Sequence, residues 1–164
     1  MILEKYLTDS KSIAVTLIKF ALLLSISITA PLLHNQIITG SLVNAALFIG
    51  TATVGVFGAS LICLLPSIFA LASGTLPAAL APFIPFIMAS NIILVAVFFY
   101  LKKYNYWLRI IIASCLKFLF LFFASLSIIN FSTSMFSWIQ FLTALIGGTM
   151  AYFILKFSRT AYEK

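Results

Sequence analysis

Between Lys11 and Tyr162 the chain contains no Asp and no Glu. A soluble surface needs charges of both signs interspersed over it, so a stretch this long without a carboxylate cannot be wrapped around a water-facing domain. The same stretch is built of apolar runs, and across all 164 residues 63% are hydrophobic, with mean hydropathy +1.21. A small domain leaves a large share of its chain at the surface, and this chain has too little polar surface to offer. The sequence therefore specifies a single all-α domain, 1–164, embedded in a bilayer and crossing it several times.

A helix needs about 20 apolar residues to cross ~30 Å of hydrocarbon, and on that measure the sequence predicts six spans. Residues 1–11 are polar. The first span covers Ser12–Leu33, the second Ile37–Val54 and the third Ala59–Leu71, the last short and kinked by Pro66. The fourth covers Phe86–Leu101, the fifth Trp107–Ile129 and the sixth Ser134–Phe157. His34-Asn35-Gln36 and Gly55-Val56-Phe57-Gly58 read as turns, and 102–106 as a loop. The first span resembles a signal peptide only superficially. Its apolar run is too long, and Pro31 follows the sole small-residue cleavage point, Ala30, so the span is expected to be retained.

Charge then orients the bundle. Eight of the ten Lys and Arg residues lie in the N-terminus, the 102–109 segment and the C-terminal tail. With six spans all three fall on one side, while the opposite loops carry no charged residue. Cytoplasmic loops concentrate Lys and Arg, so both termini are expected in the cytoplasm of a cell whose inner (plasma) membrane holds the protein. Tyr100, Tyr104, Tyr106 and Trp107 are expected to form an aromatic belt at the inner face. The net charge of +7 is absorbed by this topology and implies no nucleic-acid partner, since no basic stripe tracks a phosphate backbone.

Gly74–Asn91, GTLPAALAPFIPFIMASN, is apolar enough for lipid, yet Pro77, Pro82 and Pro85 recur too closely for an ordinary helix. Irregular backbone at membrane depth survives only against protein or a cavity. The segment 74–85 is thus expected to roof something at the outer face.

Four amides share a depth near that face: Asn44, Asn91, Gln140 and, at the end of its span, Asn130. Buried amides either bond neighbouring helices to one another or line a cavity, and both readings stand for each of them. Their common level, with His34, Gln36 and Thr39 in the first outer loop, favours a substrate-binding pocket opening outward. Trp138, two residues before Gln140, is the aromatic best placed to stack on a ligand. With no fixed charge among these residues, the expected ligand is neutral or zwitterionic. Lys19 and Lys117, the only charges well inside spans, are expected to snorkel to the inner interface or to meet a partner there.

Much chemistry is missing. Cys63 and Cys115 both sit in apolar runs and read as small hydrophobes rather than as a disulfide. One histidine and two separated cysteines hold no metal centre. No phosphate-binding Gly-rich Lys motif, no His-Glu-x-x-His and no Gly-x-Ser-x-Gly occurs. Neither a catalytic role nor a cofactor is expected.

Three runs, HNQIITGSLVNAALFIG at 34–50, LPAALAPFIPFIMASNIILV at 76–95 and MFSWIQFLTALIGGTMAYFILK at 135–156, resemble small bacterial membrane proteins. They are similar to the substrate-binding S components of energy-coupling factor (ECF) transporters, a group in which some members carry the label "iron hydrogenase" that two cysteines contradict. The resemblance implies a six-helix subunit for vitamin uptake, without its own ATPase, energised by a transmembrane coupling subunit and two ATPases. It implies a site near the outer ends of helices 4 to 6, closed by the loops 34–40 and 73–85, with Asn91, Asn130, Trp138 and Gln140 at matching positions. It also implies a docking face of paired alanines on helix 1. The chain departs from that pattern, because Ala14 is followed four residues later by Ile18, and the nearest small pair is Ala21 with Ser25. A non-transporting scaffold subunit, with amides serving only to hold helices together, is the alternative.

Overall fold

In a computed structural model, the backbone is described for residues 2–76, 78–127 and 138–162, and the side chains for 12–76, 81–126 and 138–158. Every regular element among these residues is helical. Helix α1 spans Ile2–Thr29, α2 Gln36–Thr53, α3 Val56–Ile62, α4 Leu65–Ala72, α5 Ile84–Tyr100, α6 Tyr106–Ser127 and α7 Trp138–Tyr162. Five stretches are long and apolar enough to cross a membrane, namely Ser12–Leu33, Gln36–Thr53, Ala81–Tyr100, Tyr106–Leu126 and Trp138–Ser158; Val56–Ala72 is apolar but shorter.

Local chemistry sets the boundaries. Pro31 cannot donate a backbone bond, and α1 tightens there into a 3-10 turn, Ala30–Leu33, that ends at His34 with φ +50°. The following polar residues form a cap rather than a plain break. The Asn35 side-chain oxygen accepts from the backbone of Ile37 and Ile38 at 3.0 and 3.1 Å, satisfying two of the four donors a helix start leaves open. Asn105 does the same for α6 through the Trp107 backbone at 3.1 Å.

The expected third span is two helices instead of one kinked helix. The chain turns at Cys63–Leu64, and Pro66 lies in the first turn of α4, where its missing donor is harmless. The α3 helix begins at Val56, so the expected four-residue turn over 55–58 shrinks to Val54–Gly55. The proline-rich segment is also more regular than its composition suggests. Gly74 takes φ +71°, which a side chain disfavours. Ala78–Phe83 then winds as a 3-10 helix with Pro82 inside it, and Pro85 opens α5 from its first turn.

The centre of the bundle is α2, packed against α7, α1, α3 and α5. Leu47, Phe48, Ile62, Leu94, Val95 and Phe98 are fully buried there. Phe48 meets Phe98 edge-on at 4.8 Å, and Tyr106 meets Phe98 at 5.5 Å. Tyr106 is therefore core rather than belt, and its hydroxyl donates to the Gly148 carbonyl at 3.1 Å. Tyr100, Tyr104 and Trp107 do face outward. So do Leu17, Ile18 and Leu22 of α1, an apolar surface suited to lipid tails.

Small residues carry the tightest seam. A Cβ on Gly147 would lie 2.7 Å from the Ser41 carbonyl and 2.8 Å from the Ala45 nitrogen, so only glycine lets α7 approach the α2 backbone this closely. Ala144 and Ala151 on the same helix are fully buried, and a Cβ on Gly148 would lie 2.6 Å from the Ile110 side chain, so these small residues too serve internal packing.

Candidate functional site

One cavity of about 310 Å³ lies between α2, α4, α5, α6 and α7, beneath the turn that joins α1 to α2. Its polar floor is built from three helices. Asn44 is the ninth residue of α2, Asn91 the eighth of α5 and Lys117 the twelfth of α6. The Lys117 ammonium donates to Asn44 Oδ1 and to Asn91 Oδ1, both at 2.7 Å. Asn44 reaches a fourth helix through a long bond, 3.4 Å, from its Nδ2 to Thr143 Oγ1, and that hydroxyl donates to the Gln140 carbonyl of α7 at 3.1 Å. Asn44, Asn91, Lys117 and Thr143 are all at most 3% exposed.

The placement of Lys117 corrects the expectation from sequence. It does not snorkel. Eleven residues from Tyr106 and ten from Ser127, it sits mid-helix, about 15 Å from either end of α6, farther than a four-carbon stem reaches, and its side chain points across the bundle. A buried charge is costly unless it is hydrogen-bonded, and the two amide oxygens supply that here. The cavity consequently holds a basic group, which the expectation of a pocket without Lys or Arg did not include. Lys19, by contrast, is only half-buried on α1.

The sequence-derived site residues divide three ways. His34, Gln36, Thr39, Asn44, Asn91 and Gln140 all line this one cavity. His34 and Gln36 sit at its exposed rim, and the Thr39 hydroxyl donates to the Ala30 carbonyl at 2.8 Å, tying the rim of α2 to the end of α1. Trp138 does not join them. It is 64% exposed at the start of α7 and outside the lining, a position for lipid contact rather than for stacking. Asn130 lies outside the described residues.

Two further contributors escaped the sequence reading. Pro66, Ser67 and Ala70 of α4 form a wall, because the break at Cys63–Leu64 turns that half-helix toward the cavity. Thr143, outside the lining, supports the polar floor through its bond to Asn44, on the same face of α7 as Gln140 three residues earlier. Thr75 and Leu76, from the segment expected to form a roof, line the cavity as well, and the Thr75 hydroxyl is held by the Ala70 carbonyl at 3.0 Å. Val43, Ile87 and Pro31 add apolar surface to the lining.

Such a cavity, mostly apolar with a few convergent polar groups, has the makeup of a small-molecule site. It has no nucleophile and base in mutual contact, and no group of three or more His, Cys, Asp or Glu that could hold a metal occurs among the described residues. In comparisons with protein families, curated proteins and solved structures, nothing matches the chain.

Proposed function

We propose that the protein is a membrane-embedded capture subunit for uptake of a small organic nutrient, without enzymatic activity of its own. The observation that carries this reading is the cavity itself: six residues singled out from the sequence converge on one space of about 310 Å³, large enough for a vitamin-sized molecule. In this reading the chain crosses the plasma membrane six times, with Val56–Ala72 as the broken third crossing and both termini in the cytoplasm. The cavity then faces outward, where a nutrient would arrive. Energy for release inward comes from separate partners, a transmembrane coupling subunit and two ATPases, as the resemblance to ECF S components implies.

A second reading has a specific observation behind it. Lys117, Asn44, Asn91 and Thr143 tie α2, α5, α6 and α7 together, which is what a scaffold subunit would use its polar residues for. Affinity purification separates the two. A capture subunit brings down ATPases and a small molecule detectable by mass spectrometry, and Gln140→Leu, outside the tie between helices, abolishes retention of the molecule while the protein stays folded. A fold-competent Gln140→Leu variant that retains the same molecule sinks the pocket assignment. Recovery of a complex without ATPases favours the scaffold.

A further inference from the structure

Among the described residues Lys117 has no counter-charge. It is 3% exposed, and its described hydrogen bonds go to two amide oxygens, which are neutral. No carboxylate exists anywhere between Lys11 and Tyr162 to balance it. An ammonium has three donors and no acceptor. Two are taken by Asn44 and Asn91, and the residue lines the cavity, so the third is left for whatever occupies that space.

We propose that the cavity recognises its small molecule through a carboxylate seated on Lys117, which makes the substrate class a small organic acid or an amino-acid-like zwitterion; this rests on the capture reading above. The two amides beside it hold the ammonium in place, so it is already oriented when the anion arrives. That preorganisation, in a water-poor site, is where a single charge discriminates best. The rest of the molecule lies against Val43, Ile87, Ala70 and Leu76, an apolar wall that suits a hydrocarbon or ring. A phosphate monoester fits less well. Its second negative charge would find no second cation on the floor, since among the described residues Lys117 is the only Lys or Arg that lines the cavity.

The test uses the full chain in nanodiscs of neutral lipid, with benzoate as probe and benzamide as its uncharged counterpart. Benzoate is expected to raise the unfolding midpoint by a few degrees in a saturable manner, and benzamide at equal concentration to leave it unchanged. Asn91→Asp places an internal carboxylate on the ammonium, so this variant is expected to fold and to lose at least tenfold in benzoate affinity; Lys117→Met is expected to lose the response as well. Benzamide acting as strongly as benzoate, a benzoate response surviving in both variants, or phenyl phosphate binding more tightly than benzoate would each overturn the proposal. Mass spectrometry of retained molecules keeps the two levels apart. A neutral molecule retained by the wild type, with no benzoate response, refutes the carboxylate and leaves capture standing. A benzoate response in a protein that supports no uptake refutes capture and leaves the anion site.

Discussion

Arg109 donates twice to the same acceptor: its Nε and Nη2 lie 3.0 and 2.8 Å from the Phe98 carbonyl, and its guanidinium sits 3.8 Å over the Phe98 ring. The last four carbonyls of a helix have no partner within it, and Phe98 is within that final turn of α5. One side chain of α6 thus closes the end of α5 and locks the α5–α6 corner. Only a planar fork does both, so Arg109→Lys is not a conservative change. It is expected to lower stability by about 0.6 kcal/mol, the mean measured for hydrogen bonds between membrane helices, read by reversible unfolding in mixed micelles.

For Lys117 and Asn91 the order of effects matters more than their size. Removing an acceptor strands a buried cation, whereas removing the cation leaves two amides able to bond to each other or to water. Asn91→Leu is therefore expected to cost about 1.5–3 kcal/mol, the range for hydrogen bonds to charged groups, and Lys117→Met distinctly less. The double variant is expected to recover part of the loss. A cycle in which the two single changes simply add would show that the pair is uncoupled.

Gly147→Ala tests the seam between α2 and α7. Its new Cβ would meet backbone atoms at 2.7 and 2.8 Å, and backbone cannot swing aside as a side chain can. The helices must separate, and overpacking of this kind costs about 1–3 kcal/mol. The seam carries the bond from Asn44 to Thr143, so the same variant is expected to weaken substrate retention although residue 147 does not line the cavity.

Topology is open to direct labelling. In a background with Cys63 and Cys115 replaced by alanine, His34→Cys is expected to react with a membrane-impermeant maleimide from outside intact cells. Lys102→Cys is expected to react only after permeabilisation. Both reacting from outside would mean that Val56–Ala72 fails to cross, and that everything after it is inverted relative to the proposal.

The long elements were legible because hydropathy and length determine them. Ser12–Leu33 is read alike from sequence and structure, and α2, α5 and α7 begin or end within a few residues of expectation. Asn44, Asn91 and Gln140 were legible too, since an amide inside an apolar run stands out by type alone. Lys117 shows the limit. Its distance from Tyr106 was available, but hydropathy says nothing about which way a residue faces around the helix axis, and default reasoning sends a lysine outward to the interface. Its orientation follows from α2 and α5 each presenting an amide to the same side of α6, a relation between helices distant in sequence. The split at Cys63–Leu64 was half visible: Pro66 announced a disturbance, yet proline at a helix start and proline inside a kink look the same in sequence.

Around the cavity, the two walls differ in stiffness. On one side α2 and α7 meet backbone to backbone at Gly147, a contact that cannot slide without collision. On the other, α4 is only eight residues long, broken from α3 at Cys63–Leu64 and ended by a turn at Gly74, φ +71°, that folds back onto Ala70. A short rod with a joint at each end is compliant where a seamed pair of long rods is not. Any change in the volume enclosed between them must therefore fall to α4 and the turn after it, and amide hydrogen exchange is expected to be faster over 63–76 than over 41–51. The molecule is built as an anvil with one articulated jaw.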